Sequence, residues 1–304
     1  MKFKCFGWRG FQTLIPENWE MTTEGRGASR TYLRLEDEHM IRLELRWDEI
    51  PPKKRPNVKE SLDSFLKELK EKVEKANLKF SCLAMREASI NDHEGYIYHI
   101  RGGTELFGAS WYCTESRRLF VLHVHFLPNE YQSMKEVFDK LLSNLICHGK
   151  TWWLWSVYAF YFELPRDYSL QEYKILSAYG RMSFKSKKDI WYVLAYQGMA
   201  NVVLEEEYND IKHWFRERYL KEALKHYAHY KITKTDELHL RGHKCYRLSL
   251  EPRFSLIKKI TLDSFVWLCT DSNRILALSV VAPEKMHPII SDEKMRVLKS
   301  IKCH

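Results

Sequence analysis

The 304 residues are 45% hydrophobic and 29% charged, the balance of a folded chain rather than a disordered one, and the length allows two cores. No apolar run reaches the roughly 18 residues that span a bilayer, and Lys2, Lys4 and Arg9 interrupt the first ten residues, so neither a membrane span nor a secretory leader is expected. The net charge of +9 is uneven: residues 1–150 hold 24 Lys+Arg and 22 Asp+Glu, which leaves +7 for the rest. A basic second half suits an acidic partner such as nucleic acid, a ribonucleoprotein or an anionic protein face, and equally suits plain solubility. Seven cysteines, none in a C-x-x-C, point to reduced thiols in a cytoplasm. Four glutamines among many Lys, Arg and Glu resemble a thermophile's surface.

In chain order, Phe11 to Ile15 reads as a strand ended by Pro16, which fixes φ and disfavours helix before it. Thr31–Leu35 and Met40–Trp47 alternate polar and apolar residues, the pattern of a half-buried hairpin. Asn57 with Glu60 forms a capping box, and Val58, Leu62, Phe65, Leu66, Leu69 and Val73 recur at helical spacing. Met85–Ile90, Gly95–Arg101, Gly108–Thr114 and Leu119–Phe126 read as strands, and Met134 to Leu145 as an amphipathic helix. The second half follows the same plan. Phe160–Leu164 runs into Pro165, Gly180–Phe184 and Ile190–Tyr196 follow, and a helix is expected from about Asn209 to Tyr230. Leu238–Leu240, Cys245–Leu250, Ser264–Thr270 and Ile275–Val281 then read as strands, and Met295 to Ile301 as a helix.

The two halves are copies. Residues 111–148 and 267–304 align without a gap at ten identities, where unrelated segments would share about two at ordinary residue frequencies. They include Trp111/Trp267, Cys113/Cys269, Thr114/Thr270, Ser116/Ser272, Cys147/Cys303 and His148/His304. The expectation is an α+β chain of two tandem repeats, 1–149 and 150–304. Each would be a mainly antiparallel sheet of about six to seven strands, covered by a long mid-domain helix and a C-terminal helix. The short join Gly149-Lys150-Thr151 predicts domains that pack together.

The turn Phe11, Ile15, Pro16, Trp19, repeated as Phe160, Leu164, Pro165, Tyr168, together with this element order, resembles the PsbP-like superfamily. That group includes extrinsic photosystem proteins and a Ran-binding nuclear-import protein. The resemblance implies an antiparallel sheet under helices and a binding or assembly role. It transfers no functional residue.

Candidate chemistry is sparse. His123 and His125 lie on one face of a strand, as in many metal sites, but lack an evident third ligand, and Ser279 and Val281 replace them in the second half. Cys147-His148 and Cys303-His304 could supply four ligands. Neighbours on a helix end point apart, however, so buried cysteines and dipole-favoured histidines fit better. Cys113-Thr114-x-Ser116 and its copy read as turn chemistry rather than a nucleophile site. His239, His243 and Cys245, with Cys269 on a neighbouring strand, have no evident counterpart in the first half. No Walker loop, G-x-G-x-x-G, H-E-x-x-H or G-x-S-x-G occurs. Basic loop clusters include Lys53-Lys54-Arg55 and Arg117-Arg118. Lys185, Lys187, Lys188, Lys258 and Lys259 are the candidate nucleic-acid contacts. No cofactor, resident metal or catalytic residue is expected. The sequence points to a non-enzymatic binding or assembly protein with a protein partner, acting through a sheet face or an inter-domain groove. A basic nucleic-acid- or ribosome-associated factor is the alternative, and a metal-dependent enzyme at His123 and His125 the third reading.

Overall fold

Alternation along two central strands sorts their side chains. Leu33, Leu35, Leu43, Leu45 and Trp47 point to one face and are buried, while Tyr32, Arg34, Glu44 and Arg46 point to the other. The computed structural model describes residues 1–27, 29–158, 160–227, 229–252 and 260–303. The chain divides into two units, Met1–Lys150 and Thr151–His304.

In the first unit β1 (Phe3–Trp8) and β2 (Phe11–Pro16) form a hairpin that turns at Arg9 and Gly10, both at positive φ (51° and 81°). Trp19 N–H donates to the Pro16 carbonyl at 3.1 Å, and Phe11, Ile15 and Trp19 are buried, so the proline turn is a packing device. Seven strands follow: β3 (Glu20–Arg26), β4 (Arg30–Glu36), β5 (Ile41–Glu49), β6 (Ser81–Ile90), β7 (His93–Arg101), β8 (Glu105–Cys113) and β9 (Arg118–Phe126). They make one antiparallel sheet in the order β3-β4-β5-β9-β8-β7-β6.

Helix α1 (Val58–Lys75) starts at the expected capping box, with Asn57 accepting from the Glu60 N–H at 3.2 Å and donating to the Glu60 carboxylate at 2.9 Å. Its Leu62 and Leu66 pack on Tyr98, Ile100 and Leu106. Helix α2 (Tyr131–Ser143) buries Met134, Val137, Phe138 and Leu141 on the opposite sheet face, where Phe138 meets Phe107 at a ring separation of 5.5 Å.

The second unit repeats the plan with β10 (Trp152–Val157), β11 (Phe160–Pro165), β12 (Ser169–Ile175), β13 (Tyr179–Lys185), β14 (Trp191–Gly198), β15 (Tyr230–Leu240), β16 (His243–Pro252), β17 (Ile260–Cys269) and β18 (Arg274–Pro283). Its sheet order is β12-β13-β14-β18-β17-β16-β15, and the helix Ser291–Ser300 closes it.

The α+β duplication of seven-stranded sheets is as expected. Two details differ. The apolar run from Trp152 to Phe162, strand-length in the sequence, is a hairpin that turns where Tyr158 takes φ 44°. The mid-unit helix is not continuous from Asn209 to Tyr230. Helical turns begin at Ala200 and stop at Asn209, which takes φ 62°. Asp210 then caps a second stretch by accepting from the Lys212 and His213 N–H groups, and Tyr230 already belongs to β15.

Candidate functional sites

The first site gathers at one end of the first sheet. Asn91 and Asp92, at φ 47° and 63°, turn β6 into β7 and set His93 at its start. Cys113 ends β8. Beyond α2 the chain leaves the helix, and Ile146 pairs with Gln12 through backbone bonds of 2.7 and 2.9 Å, which brings in Cys147 and His148. The four donor atoms lie within 4.8 Å of one another. His93 Nε2 is 3.1 Å from His148 Nδ1. Cys113 Sγ is 3.4 Å from His148 Nδ1, and Cys147 Sγ is 3.4 Å from both His93 Nε2 and His148 Nδ1.

Surrounding groups hold these donors in place. The Ser116 backbone N–H donates to Cys113 Sγ at 3.4 Å. Asn91 Nδ2 donates to Cys147 Sγ at 3.6 Å, and Glu115 stands 3.3 Å from Nε2 of His148. The hydrogen bond from Cys147 pulls the Cys113 thiol down to about 4 against the opposing effect of burial, and the Cys147 thiol is pushed up in return.

The second unit assembles three matching donors. His243, Cys269 and Cys303 bring their donor atoms within 4.8 Å, with His243 Nε2 3.6 Å from Cys303 Sγ. Burial, then Cys269, pushes the Cys303 thiol up to about 12. His304 lies outside the described residues.

Two expectations change here. Cys147 and His148 do not diverge from a helix end, because both lie beyond the helix, which ends at Ser143. His243 does have a counterpart in the first half: His93 and His243 each open the strand that pairs with the Trp111 or Trp267 strand. His239, by contrast, is exposed on β15, and Cys245, whose thiol burial pushes up to about 12, stands opposite Trp267 where the first unit has Gly95 opposite Trp111.

The second site lies on the α1 face of the first sheet. His123 and His125 share that face as expected, and the third group absent from the sequence reading is Glu44, directly across from His123 in the register. Glu44 accepts from His125 Nε2 at 3.1 Å, Arg34 at 2.9 Å and Tyr32 at 2.9 Å, and these bonds, His125 first, hold its carboxyl well below the usual range. His123 is sealed under Phe65, and its Nε2 accepts from the Tyr98 hydroxyl at 2.8 Å. Burial pulls its pKa down to about 3. A cation here would have to displace Arg34 and sit beside Arg46, so the set reads as a closed polar network rather than a metal site.

At the same positions the second unit has Val193 for Glu44, Ala195 for Arg46, Ser279 for His123 and Val281 for His125. Trp214, Phe215 and Tyr219 cover that apolar face. In the first unit the side chains of Arg34, Glu44 and His125 remain 31%, 27% and 16% exposed.

Of the candidate nucleic-acid contacts, Lys185 pairs with Asp189 at 2.7 Å and lies over the Trp191 ring, while Lys187 and Lys188 are exposed in the following turn. Lys258 and Lys259 lie outside the described residues. No helix among the described residues is long and apolar enough to cross a membrane.

No protein-family model matches this chain, and no curated protein matches it. Among solved structures it is similar to cyanobacterial PsbP (CyanoP) from Synechocystis sp. PCC 6803, at 14% identity and a TM-score of 0.40 over 48% of this chain and 92% of that one. It is also similar to the Saccharomyces cerevisiae Ran-binding protein Mog1p, at 9% identity and 0.31 over 48% and 90%. A third match is a Pseudomonas aeruginosa protein of unknown function, PA94, at 11% identity and 0.28 over 51% and 99%. Each match covers about half of this chain, and at these values no residue role passes to it.

Proposed function

We propose that this chain works without catalysis, as a two-unit binding protein whose first unit engages a protein partner through the face of β4, β5 and β9. The observation behind this reading is the divergence of one face between two copies of the same sheet. Where the second unit is sealed by Trp214, Phe215 and Tyr219, the first presents Tyr32, Arg34 and His125, each bonded to Glu44, with Arg46 beside them over the Phe65 ring. Exposed charges arranged in this way steer association and select partners more than they add affinity.

In the two clusters described, Glu44, His123, Cys113 and Cys147 already have partners. Glu44 receives three hydrogen bonds, and His123 is closed off from solvent. The Cys113 and Cys147 thiols are buried, out of reach of a substrate.

The test is co-purification of the tagged chain from its own cells, with nuclease present. A discrete partner retained by the wild type and by Lys187→Glu, but lost on Arg34→Glu, supports the reading. Turnover of a defined substrate that is abolished by His125→Ala or Glu44→Gln removes it. Nuclease-sensitive association lost on Lys187→Glu and Lys188→Glu would move the function to the basic second unit.

A further inference from the structure

We propose that each unit holds one zinc ion, bound in the first by His93 Nε2, Cys113 Sγ, Cys147 Sγ and His148 Nδ1, and in the second by His243, Cys269 and Cys303. Neither unit's binding surface is part of this inference.

The spacing selects a single tetrahedral ion. With Zn–N of about 2.0–2.1 Å and Zn–S of about 2.3 Å, tetrahedral ligands stand about 3.3 Å apart for N···N and about 3.6 Å for N···S. The first unit has 3.1 Å for its nitrogen pair and 3.4 Å for three nitrogen–sulfur pairs. Two sulfurs and two imidazoles in a tetrahedron are a zinc set, and two thiolates balance the ion's charge. A bridged iron–sulfur cluster would spread its ligands over two metals, beyond the 4.8 Å that encloses these four atoms.

The surroundings agree. Glu115 on Nε2 of His148 turns Nδ1 toward the sulfurs, the outer-shell arrangement of metal-bound imidazoles. Backbone and amide N–H groups reach the sulfurs from Ser116 and Asn91. The strongest alternative is a disulfide between Cys113 and Cys147. It would give His93 and His148 no reason to aim ring nitrogens at the same point, nor the second unit a reason to repeat that aim with His243.

Four protein donors close the coordination sphere, so the role in the first unit is structural. The ion would tie the start of β7 and the end of β8 to the segment after α2, joining residues as far apart as His93 and His148. Such a link restricts the unfolded chain over a long loop, and its binding energy becomes folding energy.

The experiment is metal analysis of the full chain, purified under reducing conditions after growth in zinc. The expected result is two zinc ions per chain, falling to one in Cys147→Ser and to one in Cys303→Ser. Because these variants could misfold, the wild type is also refolded with Co²⁺, which should give the visible ligand-field bands and near-ultraviolet thiolate charge-transfer band of a tetrahedral sulfur-ligated site. A mercurial reagent should then release zinc from the wild type in step with thiol loss. Traces of zinc with no cobalt spectrum overturn the proposal, as does a Cys113–Cys147 disulfide in the intact mass. Zinc retained in full by a folded Cys147→Ser overturns the first site, and by a folded Cys303→Ser the second.

Discussion

Glu115 stands 3.3 Å from Nε2 of His148 and thereby leaves Nδ1 of that ring facing Cys113 and Cys147. Glu115→Gln keeps the shape but weakens the hold on the ring, so zinc affinity at the first site should fall about 10–100-fold, the usual effect of losing such a partner. Chelator competition on wild type and variant reads this directly. Unchanged affinity would mean that other contacts orient His148. The second site, with Asp271 at the matching sequence position, should be unaffected.

His123 gives stability a pH dependence of known sign. Its pKa falls from 6.5 to about 3, first through burial and then through repulsion by His125. Tyr98, Phe65, His125, Glu44 and Arg46 all face it. Below pH 6.5 the unfolded chain takes up a proton that the folded chain refuses, so stability falls with pH down to about 3, by at most about 1.4 kcal/mol per unit. Glu44 acts in the same direction only as pH falls toward and below its unfolded value of 4.5. Urea unfolding between pH 5 and 6.5 therefore leaves Glu44 out, and His287, whose pKa burial also lowers, contributes alike to wild type and variant. His123→Gln should have a flatter profile than the wild type there, and parallel profiles would refute the assignment.

One buried pair was rewritten between the copies. Asp263 and Lys294 are bonded inside the second unit, 4% and 5% exposed, at the aligned positions of Phe107 and Phe138 in the first. Lys294→Phe would leave the Asp263 carboxylate with Arg247, whose side chain is 42% exposed, as its remaining cation. The expected loss is about 3–5 kcal/mol. Asp263→Phe with Lys294→Phe restores the first unit's solution and should match the wild type or exceed it by about 1–4 kcal/mol. Denaturant midpoints of the three chains decide it. A double variant as weak as the single one would show that the ion pair is needed for the packing.

Gly108 on β8 lies beneath the Tyr98 ring, and a Cβ there would stand 2.0 Å from it. The ring cannot swing away without breaking the hydroxyl bond to His123. Gly108→Ala should therefore cost about 1–3 kcal/mol by overpacking, seen as a lowered unfolding midpoint. A neutral result would mean that the β7–β8 pair can spread at that point.

Much of the fold was legible locally. Leu33 to Trp47 alternates because a sheet has a period of two, Asn57 and Glu60 cap α1, and Pro16 and Pro165 end their strands. The doubling of the chain was plain in the ungapped match of its closing segments. The edge strands β3 and β12 were not legible, because side chains on both of their faces are largely exposed and leave no alternation to read. The break at Asn209 was also hidden, since the aromatic spacing of Trp214, Phe215 and Tyr219 continues across it.

The donor clusters were decided by tertiary structure. The sequence determined that Cys113, Cys147 and His148 recur, but not that they meet one another or that His93 joins them. His243 follows His93 by 150 residues while Cys269 follows Cys113 by 156, because the strand connection between them is longer in the second unit. An ungapped repeat therefore cannot align all the donors. Antiparallel pairing brings the start of β7 beside the end of β8, and the bridge from Ile146 to Gln12 brings the chain after α2 to the same point. Metal donors are selected by convergence in space, and convergence across 55 residues is a property of strand register and helix packing, which no local pattern encodes.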